Sequence, residues 1–226
     1  YRFTLLPKPF HWHSSLTSAD RESLLTEARL PVLPYTLLDA YERTQVPGDL
    51  ATLVLENENL CAVFYPSLGG RLASLFDKKE GRELLFDNPV LQPANLALRN
   101  AWFSGGVEWN SPVYGHSPQT MDPVFASRLE TPRGPLLRLY EYDRLMGLVW
   151  QVDAMLPDGA EELWVHVSLQ NPNRHPCEGY WWTNIAIPQS RDTRVLCQAN
   201  HAILHRISQE VARVPFPQWG GFDGSY

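Results

Sequence analysis

From Ala51 onward the apolar positions come in short runs broken by polar or turn-forming clusters. ATLVLEN and LCAVFYP are separated by the polar Glu56–Asn59, a hairpin pattern. RLASLFD and ELLFD follow, joined by Lys78-Lys79-Glu80-Gly81. Further strand-like runs are Asn95–Trp102, Val124–Thr131, Leu136–Tyr142, Leu148–Leu156, Glu162–Gln170, Gly179–Ile187 and Arg194–Gln198. LWVHVSLQ and LVWQVDAML alternate roughly, as half-buried strands do. Pro132-Arg133-Gly134, Pro157-Asp158-Gly159 and Asn171-Pro172-Asn173 punctuate them as turns. About ten strands at such spacing predict a large antiparallel sandwich or barrel.

The first 46 residues read differently. They predict a separate N-terminal arm, irregular and proline-punctuated, with one short helix over Thr17–Arg29. Thr17 and Asp20 have the spacing of a capping box, and Leu24, Leu25 and Ala28 form an apolar stripe. Pro31 and Pro34 end that helix, and Pro47-Gly48-Asp49 turns the chain into the strand region. The domain expected to follow covers residues 47–226.

Composition supports an all-β reading. The chain has 226 residues, of which 44% are hydrophobic, enough for a packed core. Its 19 prolines suit turns between strands and would break helix interiors. Lys and Arg number 19 against 25 Asp and Glu, giving a net charge of −6. That balance argues against nucleic acid, whose phosphates need a basic footprint. There is no polybasic run for a membrane surface, and runs such as Leu60–Tyr65 are too short to span a bilayer. Cys61, Cys177 and Cys197 are odd in number and match no zinc spacing, so reduced thiols in a cytoplasmic protein are expected.

One stretch departs from the strand rhythm: NAWFSGGVEWNSPVYGHSP, residues 100–118. It gathers Trp102, Trp109, Glu108, Asn110 and His116 among glycines that allow tight turns or close approach to a ligand. Glu and His both move protons. Indole faces suit the C–H faces of a sugar ring and leave its hydroxyls for polar partners. The same composition also fits a long loop with core aromatics.

The segment YPSLGGRLASLFDKKEGRELLF, residues 65–86, resembles the opening strands of the galactose mutarotase-like (aldose 1-epimerase) superfamily. GGVEWNSPVYGH, residues 105–116, and YWWTNIAIP, residues 180–188, are similar to an uncharacterised bacterial branch often fused to tetratricopeptide repeats. The resemblance implies a β-supersandwich that binds sugar on the concave face of a curved sheet. It also implies acid/base chemistry at an anomeric carbon, mutarotation or epimerisation. That chemistry takes a proton from the anomeric hydroxyl and returns one to the ring oxygen, using groups on opposite sides of the sugar. The residues it points to are Glu108 and His116 as catalytic groups. Trp102, Trp109 and Trp182 would line the site, with Arg71, Asn110 and Asn184 as polar anchors. Two departures stand out. Ile185 follows Asn184 where mutarotases carry an Asn-His pair, and the late strand that brings their basic Glu is missing. The resemblance therefore implies a domain incomplete at its C-terminus, with a repeat domain or a second copy of the chain as its partner.

No cofactor or metal is expected. His11 with His13 and His201 with His205 are the candidate metal pairs, the second on a helix face, but neither has an obvious third ligand. HAILH also lacks the Glu of a metalloprotease motif. Two other readings remain open beside the enzyme: a non-catalytic module that binds a sugar or oligosaccharide, and a scaffold with a large apolar patch.

Overall fold

The computed structural model describes residues 3–5, 32–112, 115–205 and 211–225. No helix occurs among them, and every strand pairing is antiparallel. The helix expected over Thr17–Arg29 lies outside the described residues, as does the His11/His13 pair.

The chain divides into two compact units, Tyr1–Ile187 and Pro188–Tyr226. In the first, β1 (Phe3–Leu5) pairs with β2 (Val32–Thr36). One larger sheet holds β3 (Leu53–Glu56), β4 (Leu60–Tyr65), β5 (Arg71–Asp77), β6 (Arg82–Glu83), β7 (Val107–Asn110) and β12 (Trp182–Ile185). Its order is β12-β7-β5-β4-β3, with the short β6 on β5. The other holds β8 (Phe125–Thr131), β9 (Gly134–Tyr142), β10 (Val149–Met155) and β11 (Trp164–Gln170) in the order β11-β10-β9-β8.

Alternation makes these two sheets a sandwich. Ala62 and Phe64 of β4, Leu72 of β5, and Val107 and Trp109 of β7 turn inward. They meet Leu137 and Leu139 of β9 and Trp150, Val152 and Ala154 of β10. Each large apolar side chain buried this way contributes about 1.5–3 kcal/mol. The unit is an all-β antiparallel sandwich.

Residues of β2 pack onto this unit. Leu33 and Tyr35 of β2 are buried, and the Tyr35 hydroxyl donates to Asp143 Oδ1 at 3.2 Å.

Three strand expectations change. Asn95–Trp102 yields only the isolated bridge Ala94↔Trp102, because Ala97 and Asn100 have φ of 67° and 58°, outside any ladder. Of ELLFD only Glu83 enters a strand, as the second residue of β6. The Glu83 carboxylate there accepts the backbone N–H groups of Leu75, Leu84 and Leu85. Arg194–Gln198 forms no strand, and its Val195 and Leu196 lie exposed.

In the second unit β13 (His201–His205) pairs with β14 (Val211–Pro215), and β15 (Gln218–Trp219) with β16 (Phe222–Asp223). HAILH is thus a strand and not a helix. Positions four apart on a strand are separated by about 13 Å, too far to share an ion. Among the described residues no group of three or more His, Cys, Asp or Glu side chains could hold a metal.

Candidate functional site

The site sits on the outer face of the larger sheet. Leu72 and Val107 are register partners and both point into the core. Their neighbours Arg71 and Glu108 therefore take the opposite face. β12 extends this face, since Asn184 pairs with Glu108 and Trp182 with Asn110.

Gly106 sets the close approach of β7 to β5. Its φ is 63°, and a Cβ there would stand 2.2 Å from the Leu72 carbonyl oxygen.

Glu108 is the centre of the cluster, with 2% of its surface exposed. Trp102 Nε1 donates to Oε2 at 3.0 Å and to Oε1 at 3.1 Å. The Thr120 hydroxyl donates to Oε1 at 3.2 Å, and Asn184 Nδ2 donates to Oε2 at 3.2 Å. His116 Nδ1 lies 3.0 Å from Oε1 and 3.1 Å from Oε2. An indole N–H only donates, so the carboxylate is the acceptor, and His116 presents Nδ1–H to it. Nε2 lies on the far side of the imidazole, and no hydrogen bond to it occurs among the described residues.

Two indoles flank that ring. The centroids of Trp102 and Trp182 lie 5.0 and 5.1 Å from it, both tilted by 48°. The His116 side chain keeps 19% of its surface exposed against 2% for Glu108, so the imidazole is the more accessible of the two.

Arg71 lies beside this pair. Nη2 donates to Thr120 Oγ1 at 3.1 Å and Nη1 to the Gly105 carbonyl at 2.6 Å. Its guanidinium covers the Phe103 ring at 3.9 Å. Burial pushes its pKa down to about 10, while the Glu108 charge acts the other way. Thr120 thus bridges a buried cation and a buried carboxylate.

The remaining expected residues separate. Asn110 is fully buried and accepts the Ser117 backbone N–H at 2.7 Å, which shapes the loop that carries His116. Trp109 turns inward, stacks on Trp181 with centroids 6.5 Å apart and donates to the Gly70 carbonyl at 2.9 Å. It is a core residue and lines no ligand face. Thr120 and Gly105 are the partners that sequence reading missed. Thr120 lies just beyond the conspicuous motif, in a run without a chemical signature.

A cleft of about 1070 Å³ opens beside Arg71, lined also by Tyr65, Ala73, Phe86 and Gly105. Glu108 and His116 do not line it. Arg71 is the wall between the two.

Fold and site together define an antiparallel β-sandwich domain with a buried carboxylate–imidazole pair on one sheet face. The chain belongs to a family described as a domain of unknown function (DUF5107), whose model matches residues 28–223. In structure it is similar to a TPR-domain containing protein from Parabacteroides distasonis ATCC 8503. The TM-score is 0.66 and the sequence identity 25%, over 80% of this chain and 31% of that one. The chain therefore spans less than a third of that protein's length. Among the described residues no helix is long and apolar enough to cross a membrane.

Proposed function

We propose that this domain binds carbohydrate on the outer face of its larger sheet and that His116 moves a proton at the sugar's anomeric centre. The supporting observation is the imidazole set between Trp102 and Trp182, with Nδ1 held on Glu108. The indoles offer apolar edges to a sugar ring. Nε2 takes the proton of the anomeric hydroxyl, and Glu108 steadies the imidazolium that forms. Ring opening follows as solvent supplies a proton to the ring oxygen. On reclosure at the other face the ring oxygen gives its proton back to solvent and Nε2–H returns its proton to the anomeric oxygen, so the anomer is inverted and the imidazole regenerated, as in a mutarotase-like epimerase. Thr120 donates to Glu108 and accepts from Arg71, which keeps the carboxylate in place through the cycle.

The reading places the domain in the cytoplasm, in keeping with three free thiols. It also includes a fused repeat domain, in keeping with the TPR-domain neighbour. The test is NMR exchange between anomers across a panel of free sugars, with H116Q as the control. A panel in which neither exchange nor binding occurs defeats the proposal.

A second reading has its own observation. Glu108 is engaged by four donors, which among the described residues leaves His116 as the proton-active side chain at the site. A non-catalytic sugar-binding module needs no more than that. It predicts binding without anomer exchange.

A further inference from the structure

The cleft beside Arg71 is too large for the ligand of a simple mutarotase. Pockets of about 300–1,000 Å³ bury drug-sized molecules, and this one reaches about 1070 Å³. A single hexose at His116 would leave it unfilled. Arg71 and Ala73 of β5 line the cleft on the same sheet face as Glu108, so a chain of sugars crossing Arg71 would occupy both places. Tyr65 and Phe86 supply aromatic surface there, and Phe86 is 39% exposed.

Charge narrows the class. Glu42, Asp49 and Asp87 line the cleft, against the two cations Arg43 and Arg71. Arg71 is already committed to Gly105, Thr120 and Phe103. An anionic polysaccharide would meet three carboxylates there without an equal number of free cations.

We propose that the ligand is a neutral oligosaccharide, with one terminal sugar at His116 and the following units in the cleft beyond Arg71. The inference rests on the carbohydrate reading above and adds chain length and charge to it.

Calorimetric titration of the intact chain tests it. The probes are cello-, xylo-, manno- and galacto-oligosaccharides from monosaccharide to pentasaccharide, with oligogalacturonides as the anionic arm. In one neutral series affinity should rise about tenfold or more from monosaccharide to tetrasaccharide, a gain of about 1.4 kcal/mol. F86S, a change at a surface position, should remove most of that ratio. Equal affinity at every length overturns the inference while leaving the carbohydrate reading in place. So does an F86S variant that keeps the full ratio, and so does tighter binding of the oligogalacturonides. Failure of every sugar to bind defeats both readings together.

Discussion

His116 Nδ1 and Glu108 Oε1 stand 3.0 Å apart, with the carboxylate buried and the imidazole the more exposed of the two. Mutarotase-like chemistry would set an acid and a base on opposite sides of a sugar ring. Here the carboxylate orients the imidazole, which under the proposed function is the group that meets the sugar. E108Q should therefore act through His116 and through stability. A side-chain amide places a donor against at least one of four inward donors and should cost about 1–3 kcal/mol in urea unfolding. H116Q should cost less, because Gln can still donate to Glu108, yet it should abolish anomer exchange read by NMR.

Thr120 is satisfied from both sides, by Arg71 and by Glu108. T120V preserves shape and removes the bridge, leaving a buried guanidinium short of an acceptor. The expected loss is about 1–3 kcal/mol by chemical denaturation. T120S should restore most of it, since the hydroxyl returns and only a methyl is lost. Equal losses in both variants would assign Thr120 to packing alone.

Gly106 tolerates no side chain. G106A combines a positive φ with a Cβ 2.2 Å from the Leu72 carbonyl oxygen. The left-handed conformation alone costs about 1–2 kcal/mol, and relieving the clash must part β7 from β5. We expect a loss above about 2 kcal/mol, together with weakened sugar binding. The denaturation midpoint and a ligand titration check both.

Asp143 supplies a pH signature. Burial raises its carboxyl above the ordinary value, against hydrogen bonds from Met146, Leu145, Tyr35 and Gly147 that act to lower it. The folded form therefore holds this proton to higher pH than the unfolded chain. Its contribution is greatest below the unfolded value near 3.8 and is lost as pH rises through the folded value. D143N does not titrate. Wild-type stability relative to D143N should fall as pH rises across that interval, the reverse of a salt-bridged carboxylate, and denaturant unfolding at a series of pH values reads it.

Strand periodicity was legible wherever a run had a sheet face to bury, as in β9 and β10. It misled where local backbone or side-chain chemistry intervened. Positive φ at Ala97 and Asn100 broke one expected strand, and the Glu83 carboxylate shortened another. HAILH fits either period over five residues, and its pairing with Val211–Pro215 decided for strand. At the site, residue types pointed to Glu108, His116, Trp102, Trp182 and Asn184, which the structure brings into one cluster. Trp109 carries the same chemistry as Trp102 but occupies an inward position, and only the register of β7 distinguishes them. Thr120 acts through long-range contacts to Arg71 and Glu108, which no local pattern encodes.

β7 carries site and core on alternate residues. Glu108 takes the site face while Val107 and Trp109 pack within, and β12 brings Trp182 and Asn184 alongside. Substitution at Glu108 would change the chemistry of that face and leave the interleaved Val107 and Trp109 in the same packing, so the face can be altered without a new fold.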